Sequence, residues 1–207
     1  MTQAFPKLIL ASRSPRRQEI LRAAGYEFEV KLPTAAAEQG LCGCEPPADH
    51  VARLAYQKAA DVARRISSGL ILACDTVAYC NGQILGKPKD AEDAGRMLQV
   101  LCGREHQVFS GLCLWSVPEG RVMLRTAVST LRMDELSPQQ IAGYIAEGGW
   151  REKAGAFGYQ DGLDWVHLIE GSSSNVVGLP LELLAEMLAD WSSQAEKNIA
   201  PTKNSSS

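Results

Sequence analysis

Apolar residues fall along the chain either in short unbroken runs or in stripes spaced three and four apart, and their alternation predicts the elements. Leu8-Ile9-Leu10-Ala11 is a run that ends at polar Ser12-Arg13-Ser14. Ser14 then stands as an N-cap with Pro15 at the first helical position, so strand, tight loop and helix follow one another. Ile20, Leu21 and Ala24 share one face of that helix, and Gly25 stops it. A second strand is expected from about Tyr26 to Leu32, then loop chemistry from Thr34 through Pro47. Between Asp49 and Ile66, apolar Val51, Leu54, Ala55, Val62 and Ile66 recur at helical spacing. Leu70-Ile71-Leu72-Ala73-Cys74 reads as a strand buried on both faces, and it meets Asp75-Thr76 before Val77-Ala78-Tyr79 continues it.

Beyond that strand, Asn81-Gly82 makes a turn, Gly86-Lys87-Pro88-Lys89 a basic loop, and Asp90 caps a helix running to about Leu101. Two strands, His106 to Trp115 and Arg121 to Met133, are joined at Pro118-Glu119-Gly120 as a hairpin. Ser137-Pro138-Gln139-Gln140 carries a capping box for another helix. A glycine-rich loop from Gly148 to Gly162 precedes a strand at Trp165 to Ile169. A last helix spans about Leu181 to Trp191, and the polar stretch 192–207 is expected to be a disordered tail. The class is therefore α/β with a mixed sheet, in one domain over residues 1–191.

Composition narrows the partners. With 207 residues, 45% hydrophobic and 22% charged, the chain suffices for one sizeable core. A net charge of -3 gives no overall drive toward nucleic acid or an anionic membrane, so affinity for phosphate has to come from local clusters of cations. No apolar stretch approaches membrane-spanning length, and the opening residues do not form an export signal, which predicts a soluble cytoplasmic protein. Six cysteines without regular pairing fit reduced thiols. Cys42 and Cys44 match no standard zinc spacing.

Four places carry candidate chemistry, each with a plain structural alternative. Ser12, Arg13, Arg16 and Arg17 gather at a helix N-terminus, where free N–H groups and the dipole favour an anion; the alternative is a solvated basic first turn. Asp75, after a buried strand, is placed to take a proton or hold a metal, or simply to bond its own backbone. Lys87 and Lys89 around Pro88, and Lys58 on its mainly apolar helix, suit a phosphate or merely reach solvent. Lys153-Ala154-Gly155-Ala156-Phe157-Gly158-Tyr159-Gln160 offers rings and an amide for a nucleobase, or an ordinary loop.

Together, L-I-L-A-S-R-S-P-R-R, A-C-D-T-V, L-G-K-P-K-D, K-A-G-A-F-G-Y-Q and N-V-V-G-L-P-L resemble, in order and spacing, the Maf family of nucleotide pyrophosphatases. The resemblance implies an elongated mixed sheet flanked by helices with a central cleft between two lobes, as in inosine triphosphate pyrophosphatases, and a homodimer. It implies hydrolysis between the α and β phosphates of a nucleoside triphosphate, with Mg2+ or Mn2+ as cofactor. Asp75 falls on the family's catalytic acid and Ser12, Arg17, Lys58 and Lys87 on its phosphate cleft, and the triphosphate is expected among Arg13, Arg17, Lys58 and Lys87. Arg16, Thr76 and Gln160 match the branch selective for dTTP and UTP, whose glutamine amide suits the O4/N3 edge of thymine or uracil. One departure is Ala35-Ala36-Ala37-Glu38, where family members usually have two or more acids, leaving Glu38 beside Asp75 as the metal-ligand pair. Alternatives left open are a purine-directed or 7-methyl-GTP pyrophosphatase and a nucleotide- or DNA-binding regulator of cell division without turnover.

Overall fold

A computed structural model describes residues 7–38 and 45–199, with side chains to residue 194. The elements in chain order are β1 (Leu8–Ala11), α1 (Pro15–Ala23), β2 (Phe28–Val30), a 3-10 turn at Ala35–Glu38, α2 (Pro47–Ala63), β3 (Gly69–Cys80), β4 (Gln83–Leu85) and α3 (Ala91–Leu101). There follow β5 (Glu105–Val117), β6 (Val122–Met133), α4 (Pro138–Glu147), 3-10 turns at Ala154–Ala156 and Tyr159–Asp161, β7 (Val166–Glu170), α5 (Ser173–Val177) and α6 (Leu181–Ile199).

The seven strands form one mixed sheet in the order β2-β1-β3-β5-β6-β7, with β4 folded back on β3. β1 runs parallel to β2 and β3, which its helical connections require, and the pairs β3–β4, β3–β5, β5–β6 and β6–β7 are antiparallel. Strand periodicity sorts the core. Leu8, Leu10, Leu70 and Leu72 pack with Leu21 of α1 and Leu184, Met187 and Trp191 of α6. Ile9, Ala11, Ile71 and Ala73 point the other way, onto Ala55, Ala59 and Val62 of α2. A further cluster joins the far end of β3, at Ala78 and Cys80, to α3 and to Trp150 and Phe157.

β3 is longer than β1 and β4, which pair along one of its edges, and that mismatch makes the site. β5 covers one edge of β3 from Gly69 to Tyr79. On the other edge β1 stops at the Ala11–Ala73 pair and β4 begins only at Ala78. Residues 74–77 therefore present an open edge just beyond the carboxyl end of β1, the place where open α/β sheets bind ligands.

Three expectations are corrected. β2 is confined to Phe28–Val30. Ser14 makes no side-chain cap; its N–H instead donates to Ser12 Oγ at 3.2 Å. The last helix continues to Ile199, eight residues past Trp191, so 192–199 are not tail. Ser192 and Ser193 hydroxyls bond back to the carbonyls of Leu188 and Ala189, so their polar groups are satisfied within the helix. Residues 200–207 lie outside the described residues, as do Cys42 and Cys44. No helix among the described residues is long and apolar enough to cross a membrane.

Candidate active site

Ser12, Arg13, Arg16, Arg17, Glu38, Lys58, Asp75, Thr76, Lys87 and Gln160 all line the same cleft, of about 430 Å³, at the open edge of β3. A cavity of similar size, about 460 Å³, lies at the opposite end of the strands, between Leu8, Tyr26, Leu70 and Leu188, away from these groups.

Asp75 is at the floor. It shares strand parity with Ile71 and Ala73 and so faces α2, where Lys58 follows Val51 and Leu54 on the buried side. Lys58 Nζ donates to Asp75 Oδ1 at 2.6 Å, with only 8% and 14% of the two side chains exposed. Asp75 Oδ2 accepts no hydrogen bond among the described residues. This pairing depends on Gly111, directly across the ladder from Asp75. A Cβ there would stand 2.4 Å from the carbonyl oxygen of Val51, so the missing side chain is what lets α2 lie on the sheet.

On the opposite face of β3, Arg17 is held on three sides. Its guanidinium donates to Ser12 Oγ at 3.1 Å, Thr76 Oγ1 at 3.0 Å and the Gly178 carbonyl at 2.8 Å. Thr76 Oγ1 also meets Ser110 Oγ at 2.8 Å. The Gly178 carbonyl can serve this network because Gly178 ends α5 with φ of 119°, in the left-handed region that favours glycine. Arg17 is thus a fixed charge, and the hydroxyl of Thr76 is committed to the protein. Next door, burial pushes the Cys74 thiol up, so it is no nucleophile.

The rim is built from three loops. Arg13 donates to the Pro33 carbonyl at 3.0 Å and lies 3.9 Å from Glu38. Lys87, after β4, meets Glu152 at 2.6 Å, while Arg16 donates to the Glu152 main-chain oxygen and Lys153 pairs with Asp161. Burial, with Arg17 beside it, holds Arg16 below the ordinary arginine range. The glycine-rich loop is tied to the lysine loop by a hydrogen bond from Gly155 N–H to Gly86. It presents Phe157 and Gln160 to the cleft. Among the described residues no group of three or more His, Cys, Asp or Glu converges as a metal cage; the carboxylates on the cleft lining are Asp75, Glu38 and Glu152, the last paired with Lys87.

Sequence reasoning did not single out Glu152, Ser110 or Gly111. Glu152 sits next to a quoted motif but is 65 positions from Lys87, and nothing local announces the pair. Asn175 opens the N-V-V-G-L-P-L motif, and nothing local in the sequence announces its role. Its amide is fully buried and donates to the Val108 carbonyl at 3.1 Å and Ser129 Oγ at 2.9 Å, anchoring the turn that carries Gly178.

A family model described as Maf-like protein matches residues 7–191. A dTTP/UTP pyrophosphatase from Rhodopirellula baltica is 51% identical over 199 residues, 96% of this chain and 88% of the relative. Another protein of that name, from Geotalea uraniireducens, is 44% identical over 182 residues, 87% and 93% of the two chains. Among solved structures, a HAM1 protein from Coxiella burnetii aligns with 90% of this chain and 100% of its own, at 13% identity and a TM-score of 0.49. With a family model spanning nearly the whole cleft-bearing chain and relatives at this identity, the chain belongs to the Maf-like protein family.

Proposed function

We propose that the protein hydrolyses dTTP and UTP to the nucleoside monophosphate and pyrophosphate. The observation that carries this reading is the convergence of a shielded carboxylate, Asp75, with Arg13, Arg17, Lys58 and Lys87 in one cleft. A triphosphate brings about four negative charges, which such a ring of cations neutralises during phosphoryl transfer. Arg17, already fixed by three acceptors, needs no reordering when substrate arrives, and this preorganisation favours the transition state. Lys58 locks Asp75 through Oδ1, which leaves Oδ2 to take the proton of an attacking water. The water oxygen bonds to phosphorus as the α–β bridge breaks, the proton passes to Asp75, and pyrophosphate leaves against the lysines and arginines.

The residues fit a divalent cation. Asp75 and Glu38 are hard oxygen donors on the cleft lining, and Mg2+ usually takes one or two carboxylates plus phosphate oxygens. Bound there, Mg2+ or Mn2+ supplies charge neutralisation and orientation of the phosphates. Base preference falls to Gln160, whose amide offers both a donor and an acceptor at the cleft, beside Phe157. Thr76 acts through Arg17 and Ser110, to which its hydroxyl is bonded. The test is a panel of dTTP, UTP, GTP, ITP and 7-methyl-GTP with Mg2+, assayed for pyrophosphate. Fastest release from dTTP and UTP is expected; no release, or purines first, overturns the reading.

A further inference from the structure

Glu152 takes no part in the chemistry above, yet it touches a cation of the lysine loop and one from the first turn of α1. Its Oε2 accepts from Lys87 Nζ at 2.6 Å, and its main-chain oxygen accepts from Arg16. Its φ is 59°, a left-handed conformation that glutamate seldom adopts, and such residues concentrate at ligand clamps. The hydrogen bond and charge of Lys87 hold its carboxyl below the usual range, so the group is an anion at neutral pH. The anchor to Arg16 runs through the backbone, which leaves the side chain free to swing without releasing the loop.

We infer that the Glu152 carboxylate is a stand-in anion at Lys87, occupying the ammonium before substrate arrives and yielding it to a phosphate of the triphosphate or of product pyrophosphate. The inference rests on reading the cleft as a phosphate site. Exposure decides its strength. The Lys87 and Glu152 side chains are 54% and 74% exposed, against 8% and 14% for Lys58 and Asp75. An exposed ion pair is weak, enough to aim the lysine into the cleft and weak enough for a multiply charged phosphate to displace. A compact ammonium accepts either anion without a change of geometry. Competition of this kind lowers ground-state affinity for the phosphate tail and so hastens product release.

Glu152→Gln removes the charge and leaves the backbone anchor to Arg16. It should lower KM for dTTP and the calorimetric Kd for inorganic pyrophosphate, both measured with Mg2+, by about two- to five-fold, the range of an exposed pair. With release slowed, kcat is at or below that of the parent. A purely structural tether predicts the opposite sign, because a loosened loop raises KM. In a Lys87→Met background the same substitution should have no effect on either quantity, since the competitor then has nothing to occupy. Unchanged or weaker binding in Glu152→Gln overturns the inference. So does tightening that survives in the Lys87→Met background, or pyrophosphate binding to neither protein. If the parent protein binds pyrophosphate but turns over no triphosphate, the proposed function fails, while the binding comparison still decides the role of Glu152.

Discussion

At the residue scale, the two oxygens of Asp75 have different work. Oδ1 is held by Lys58 at 2.6 Å, and in the proposed reaction Oδ2 is the base. Asp75→Asn keeps an acceptor at Oδ1 for the buried ammonium but cannot take a proton. We expect kcat to fall by about 10²–10⁴-fold, the contribution of a positioned general base, with nucleotide binding within a few-fold of the parent. Normal turnover by this variant would remove Asp75 from the mechanism. Gln160 poses a question of selectivity. Replacing it by glutamate exchanges the amide donor for a second acceptor and adds a negative charge, leaving the O4 side of a pyrimidine without its donor. The dTTP-to-GTP ratio of kcat/KM should fall by about ten-fold, as loss of the proposed hydrogen bond to the base implies. An unchanged ratio would assign base recognition to other groups.

At the scale of elements, the site depends on how closely one helix lies on one strand pair. α2 reaches Asp75 only because Gly111 offers no Cβ to the Val51 carbonyl, and Lys58 is seven residues along from Val51 on the same helical face. Gly111→Ala would bring a methyl within 2.4 Å of a backbone oxygen that cannot rotate away. It should cost about 1–3 kcal/mol in urea unfolding, and kcat should drop as Lys58 moves off Asp75. A variant with the parent's stability and kcat would show that α2 is free to shift without consequence. Sequence periodicity made much of this framework legible. The strand parity of Ile71, Ala73 and Asp75 and the stripe of Val51, Leu54 and Val62 set which faces meet. Local capping was readable at Asp90, which accepts from the Asp93 N–H, and at Ser137, which with Gln140 closes a full capping box, but not at Ser14, whose side chain makes no cap. What periodicity could not give is any partner distant in the chain. Gly111 looks like any strand glycine until α2 is laid over it, and Ser110 gains meaning only from Thr76. The extension of α6 past Trp191 rests on Arg121, which stacks on the Trp191 ring, bonds its carbonyl and reaches Gln194.

For the molecule as a whole, the cleft and the core meet at His106. It lies on β5 with 3% of its surface exposed, its ring edge-on to Phe157 at 5.3 Å, beneath the loop that carries Gln160. Neither ring nitrogen reaches a proper hydrogen-bond partner among the described residues. Burial pushes its pKa down from 6.5 to about 4, and the nearby Arg104 main chain offsets only part of that. Because the folded state rejects the proton that the unfolded chain accepts, the unfolded state binds more protons between these two values. Stability is therefore complete above about pH 6.5 and declines as pH falls toward 4, by about 3 kcal/mol over the window. Carboxyls held low by arginines, Glu45 by Arg53 and Asp93 by Arg96, withdraw their contributions at lower pH still, as they protonate. The steps separate with one substitution. His106→Leu keeps an apolar side chain against Phe157 and has nothing to protonate, so its urea midpoint should hold between pH 6.5 and 4.5 while that of the parent falls. Equal slopes in the two proteins would place the acid sensitivity elsewhere. A fall in dTTP turnover by the parent alone across that window would show further that the ring under Phe157 keeps the base loop in register with Asp75.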